Sequence, residues 1–220
     1  MKVSKIHVYF MPGMAANPTI FKYIKLPEDQ FDVHYLAWFL PEKDETLSQY
    51  ASRMAANVKH DNIVLVGVSF GGILVQEMAQ YLNVKKIFVI SSVKSKHELP
   101  RRMKFARATK AYKLLPTSLV NNMEVLRKFA FGDLATKRLD LYEEYLSVRD
   151  KDYLDWSIAQ IVNWNQEEPL PNTIHIHGDK DLVFPIQHIS DCIPIKGGTH
   201  IMILNKFKWF NENLPKLITE

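Results

Sequence analysis

Apolar residues in this chain fall in short runs, held apart by stretches long enough to form helices. Residues 63–66 (Ile-Val-Leu-Val) and 87–90 (Ile-Phe-Val-Ile) are apolar throughout instead of alternating, as strands are when helices cover both faces of their sheet. Strand-like runs occupy 6–10, 33–37, 63–67, 86–91, 173–177 and 192–195. Apolar positions recur at helical spacing over 47–58, opened by Thr46 as a cap, over 72–82, and over 201–214 with Pro215 near the end. Strands separated by segments of this length are joined by crossovers, not hairpins. The pattern therefore predicts an α/β fold, with a mainly parallel central sheet of about six strands and helices on both faces.

Between residues 93 and 168 the alternation stops. Met103, Tyr112, Leu114, Leu115, Leu119, Met123, Leu126, Phe129 and Phe131 recur at mixed helical spacings, Pro100, Pro116 and Gly132-Asp133 punctuate them, and a last helix covers 153–164. This predicts one domain over 1–220 carrying an all-helical insertion at about 94–168. Its apolar residues suit either packing or the wall of a pocket, and so do Trp156 and Trp164.

Composition narrows the class. The chain is 47% hydrophobic and 24% charged, ordinary for a globular protein, and no apolar stretch is long enough to cross a bilayer. No export signal is visible at the start. One cysteine, Cys192, cannot form an intramolecular disulfide; it is expected to be a small buried hydrophobe, and the chain to be cytoplasmic. The net charge is only +4, but Lys94, Lys96, Arg101, Arg102, Lys104, Arg107, Lys110 and Lys113 stand against Glu98 alone. Such a run is either a solvated helix face or a field that draws anionic substrates. No helix-turn-helix, RNP or zinc-ligand pattern accompanies it, so nucleic acid is not an expected partner. His7, His34 and His175 lie in strand patterns without a partner at metal spacing, which assigns them to packing or surface hydrogen bonding. Phosphate-loop and dinucleotide glycine patterns are absent, so neither cofactor nor metal is implied.

One segment carries chemistry. The strand 63–67 ends in Gly67-Val68-Ser69-Phe70-Gly71-Gly72 and a helical pattern follows at once. A G-x-S-x-G sequence in that context places a serine on a strained strand-to-helix turn, with Gly67 and Gly71 removing side chains where the backbone closes on itself. Farther on, Asp179 and Asp181 follow the strand 173–177, and His200 follows Gly197-Gly198-Thr199 after the last strand. In an open parallel sheet, loops beyond the carboxyl ends of strands share the edge where ligands bind.

With GVSFGG, HGDKDLVFP and GGTH in this order, the chain resembles the α/β-hydrolases over nearly its whole length. It would be a compact form, lacking the amino-terminal antiparallel hairpin of larger members, with its sheet beginning near Ile6. The resemblance implies Ser69 as nucleophile, His200 as base and Asp181 as the acid that orients it, leaving Asp179 to shape the turn and His177 to anchor the loop. It further implies an oxyanion hole built from the backbone N–H of Phe70 and, in the loop 11–17 where Gly13 permits close approach, of Met14. The insertion takes the position of the family's lid. The implied function is cleavage of a carboxylic ester or thioester through an acyl-enzyme. A small-molecule-binding or regulatory protein on the same scaffold, and a cofactor-free lyase or perhydrolase, are the alternatives.

Overall fold

The computed structural model describes residues 5–114 and 144–220. Six strands form one sheet in the order β2-β1-β3-β4-β5-β6: β1 (Ile6–Met11), β2 (Phe31–Tyr35), β3 (Ile63–Val68), β4 (Val84–Ile90), β5 (Thr173–Gly178) and β6 (Ile193–Ile195). Every neighbouring pair is parallel. β3 is buried at all of its positions, which explains why its sequence does not alternate: neither face meets water. The order reverses between β1 and β3, since the chain leaves β1 towards one edge and returns to build the other. A crevice opens at such a point beyond the strand ends.

Around the sheet lie α1 (Leu47–Ala55), α2 (Phe70–Met78), α3 (Arg101–Thr109), α4 (Lys151–Asn163), α5 (Met202–Asn205) and α6 (Phe207–Thr219). α1 starts as its sequence predicts: the Thr46 hydroxyl accepts from the Gln49 N–H while the Gln49 side chain accepts from the Thr46 N–H, so two orphan donors are satisfied reciprocally. It ends three residues early, because Asn57 and Val58 bond back to Met54 and Ala55 in tighter three-residue turns. α2 begins two residues before its expected start, with Ser69 itself as the flanking residue. The final helix is two segments, broken at Lys206, and the second runs through Pro215. Burial of Ile218 accounts for its continuation beyond the proline.

Strand ends differ from the pattern for local reasons. β2 lies two residues earlier than 33–37, since its ladder with β1 runs from Ile6 opposite Phe31 to Phe10 opposite Tyr35. Leu36 and Trp38 are buried in the connection that follows. β4 stops at Ile90 because Ser91 turns to a positive φ of 48°. β6 is a three-residue edge strand containing Pro194, a residue that sheets accept only at an edge. Cys192 lies just outside it and is half-buried, not fully buried as expected, because an edge is covered on fewer sides. Burial still pushes its thiol up, which makes it a poorer nucleophile.

Within the insertion, the described residues contain no strand: α3, α4 and short 3-10 turns at Lys96–Glu98 and Ala111–Leu114 lie there. Leu115, Pro116, Leu119, Met123, Leu126, Phe129, Phe131 and Gly132-Asp133 lie outside the described residues. The tryptophans of α4 and its end stitch it to the sheet domain: Trp156 Nε1 donates to the Glu45 carbonyl at 2.7 Å and Trp164 Nε1 to the Glu77 carboxylate at 2.8 Å. The basic run is largely engaged. Lys94 is buried on the Ser190 and Asp191 carbonyls, Lys96 pairs with Glu167, and Lys104 caps the His97 carbonyl. No helix among the described residues is long and apolar enough to cross a membrane.

Candidate active site

The crevice between the carboxyl ends of β1 and β3 is floored by the turn from β3 into α2. Ser69 sits there at φ 53°, ψ −123°, a conformation that costs a non-glycine residue about 1–3 kcal/mol and persists only where the surroundings enforce it. Two glycines permit it. A Cβ on Gly67 would lie 2.3 Å from the Gly71 carbonyl oxygen, and one on Gly71 would lie 2.3 Å from that of Pro12. Ser92, just beyond β4, adds a clamp by donating from Oγ to the Ser69 carbonyl at 2.7 Å. Gly67→Ala should therefore lower stability by on the order of 3 kcal/mol, as overpacking against backbone does. A shift of the urea midpoint measures it.

The loop after β1 faces this turn. A Cβ on Gly13 would come within 3.2 Å of the Ser69 Cβ, so the loop passes close over the serine. Trp38 holds it, donating from Nε1 to the Gly13 carbonyl at 2.8 Å while its ring stacks on Phe70 at 5.0 Å. The insertion holds it from the other side: Ala15 accepts from the Val148 N–H and its own N–H meets the Tyr153 hydroxyl. Among the described residues the Met14 N–H has no acceptor. The Phe70 N–H opens α2, where a helix leaves its first donors unpaired.

The loops after β5 and β6 bring the remaining groups to the same rim. His200 Nε2 lies 3.0 Å from Ser69 Oγ, and His200 Nδ1 lies 2.9 Å from Asp181 Oδ2. The other carboxylate oxygen, Oδ1, accepts the Val183 and Phe184 N–H groups at 2.8 and 2.9 Å. Asp181 is thus buried with both oxygens engaged. Burial alone would raise its pKa, but the charge and hydrogen bond of His200, then the Phe184 N–H and His177, outweigh this and hold it below its ordinary value. Its folded value lying below the unfolded one, Asp181 contributes stability at neutral pH that is lost as pH falls through the folded value. Urea midpoints should therefore drop in acid, below the ordinary carboxylate range near pH 4, and drop less in Asp181→Asn. Asp179 lies elsewhere: its Oδ1 accepts the Gly197 N–H at 2.7 Å, pinning the two loops to each other.

Behind the acid stand His177, expected from the sequence to anchor the loop, and contacts that local pattern does not reveal. His177 Nε2 donates to the Phe184 carbonyl at 2.8 Å, which fixes its tautomer and leaves Nδ1 to accept from His175 Nε2 at 3.0 Å. Burial keeps the His177 ring neutral by lowering its pKa. Gly178 and Gly198 touch so closely that a Cβ on the former would sit 2.3 Å from the latter's carbonyl oxygen. From the insertion, Arg102 donates to the Leu182 and Val183 carbonyls at 2.8 and 2.7 Å, gripping the acid's loop. His175 is buried, not at the surface. Among the described residues, only His7, His34 and His60 gather as three potential metal ligands, and they lie away from this rim.

No family profile and no curated protein matches the sequence. Solved structures do match, over almost the whole chain. An enol-lactonase from Burkholderia xenovorans superposes with a TM-score of 0.73 at 13% identity, covering 99% of this chain and 93% of its own. A lipase-esterase related protein from Clostridium acetobutylicum gives 0.66 at 16%, over 99% and 96%. The thioesterase of the prodiginine biosynthetic pathway in Streptomyces coelicolor gives 0.63 at 14%, over 99% and 94%. The chain has the α/β-hydrolase fold. Within that fold, all six strands here are parallel and β1 begins at Ile6, next to the edge strand β2.

Proposed function

We propose that the protein is a serine hydrolase that cleaves a carboxylic ester or thioester through an acyl-enzyme. The continuous line of contacts from Ser69 Oγ through His200 to Asp181 carries this reading. A serine hydroxyl is hardly ionised at neutral pH, so attack on a carbonyl needs a base within hydrogen-bond reach. His200 Nε2 takes the Oγ proton as the new C–O bond forms. Asp181 holds the ring in the tautomer that presents a lone pair to the serine and stabilises the imidazolium, without accepting the proton itself. The tetrahedral oxyanion is received by the N–H groups of Phe70 and Met14, each such donor being worth about 3 kcal/mol. His200 returns its proton to the leaving alcohol or thiol, and the acyl group stays on Ser69. Water, deprotonated by the same imidazole, then releases the acid.

The bonds named for the neighbouring structures, a lactone, lipase-type esters and a thioester, all present an acyl carbon to a nucleophile, and they support this substrate class. A panel of p-nitrophenyl esters and acyl thioesters of graded chain length tests it. Turnover of at least one member, lost in Ser69→Ala, is expected. Tight binding of panel members, unchanged by Ser69→Ala and without turnover, would instead support a binding protein on this scaffold.

A further inference from the structure

A second cluster of reactive side chains lies on the β1–β2 edge. His7 stands opposite Asp32 and Tyr9 opposite His34 in the register of the two strands, so all four project from one face. His60, from the segment leading into β3, closes over them and stacks on His7 with ring centroids 3.8 Å apart. Ring nitrogens of His7, His34 and His60 come within 4.8 Å of one another. Asp32 Oδ2 is 3.4 Å from His7 Nδ1 and 3.6 Å from His34 Nε2, and those two nitrogens are 3.0 Å apart. A tetrahedral ion with bonds of about 2.0–2.2 Å separates its ligand atoms by about 3.3–3.6 Å. The triangle therefore already has nearly the dimensions of one face of such a site.

We propose that His7, His34, His60 and Asp32 bind one divalent transition-metal ion of the zinc type. Imidazole nitrogens with a single carboxylate suit zinc, copper or nickel, whereas calcium and magnesium take oxygen ligands. Two imidazole nitrogens at 3.0 Å hold one proton between them; an ion in its place takes both lone pairs, and the proton moves to the donor ring's other nitrogen. His60 is the exposed member; to ligate, its ring must leave the stack on His7 and present Nε2 at the fourth vertex. Its Nδ1 already lies 2.6 Å from the Tyr9 hydroxyl, the outer contact that orients a ligating imidazole, which makes Tyr9 a positioning residue. Sequence spacing assigns His7 and His34 to packing or surface hydrogen bonding because these ligands come from two strands and a loop. The ion would not take part in acyl transfer. Six residues of extended chain separate His7 from Gly13, about 20 Å, so its effect is to tie the edge strand to β1 and to the entry of β3.

The test uses the full chain, treated with chelator and titrated with Zn²⁺ alone by calorimetry, with Co²⁺ as a spectroscopic substitute. One Zn²⁺ per chain, the strong visible bands of tetrahedral Co²⁺ and a raised Tm are expected. His60→Gln, at an exposed position that leaves folding intact, and Asp32→Asn should each weaken binding by about 10-fold or more, at least what an outer-shell partner is worth. His97→Gln, an exposed histidine elsewhere, and His200→Gln should bind as the wild type does. Absence of stoichiometric Zn²⁺ uptake, or uptake equal in wild type and in both ligand variants, would overturn the site.

Discussion

Ser69→Ala is expected to lower kcat on a hydrolysed ester by about 10⁶-fold, the loss seen when the nucleophile of a working triad is removed. Among the described residues the Ser69 side chain has one hydrogen-bond partner, His200, and its Cβ is retained in alanine. The fold should therefore survive, with the urea midpoint little changed and KM moved far less than kcat. Because the groups act as one unit, Ser69→Ala combined with His200→Ala should be scarcely slower than Ser69→Ala alone. Losses that multiplied in the double variant would mean that the two side chains work independently.

Asp181→Asn should cost about 10⁴-fold in kcat, with the geometry kept. The amide oxygen can still accept the Val183 and Phe184 N–H groups, which hold Oδ1 now. The amide nitrogen then faces His200 Nδ1 where Oδ2 stood at 2.9 Å. It can only donate, so the ring is pushed into the tautomer that presents an N–H to Ser69 instead of a lone pair. Asp179→Asn, by contrast, should change kcat by less than about 10-fold, since Asp179 meets the Gly197 N–H and not His200. Steady-state kinetics on the three proteins separates the two carboxylates. A larger loss at Asp179 than at Asp181 would reverse the assignment.

How much of this could be read from the chain follows from how local each feature is. The turn at Ser69 is set by its own neighbours: an apolar strand before it, a helix after it, and glycines two residues away on either side. Its glycines were legible for the same reason, although Gly71 closes on the Pro12 carbonyl of another strand's loop. The acid and the histidine were legible as residues following strands, because a parallel sheet sends every such loop to one rim. What supports them was not. Ser92 on the Ser69 carbonyl, Trp38 on the Gly13 carbonyl, Arg102 on the acid loop and the His175–His177 pair join segments far apart in sequence. Nothing in local periodicity marks such contacts. The same limit hid the gathering of His7, His34 and His60. The two-residue offset of β2 has a related cause: Leu36 and Trp38 are buried in a connection, and a run of apolar residues reports burial without saying whether a ladder continues.

The insertion illustrates the reverse case. Its charges suited either a solvated helix face or a field for anionic substrates, and Lys94, Lys96, Arg102 and Lys104 are committed to carbonyls and carboxylates of this chain. Sequence gives the sign of a run and not its partners.

The most direct measurement on the central claim, that His200 activates the Ser69 hydroxyl, is covalent labelling with a fluorophosphonate followed by intact-mass and peptide analysis. One adduct per chain is predicted, located on Ser69, absent in Ser69→Ala and strongly slowed in Asp181→Asn. An unlabelled wild-type chain, or an adduct on a residue other than Ser69, would contradict the account.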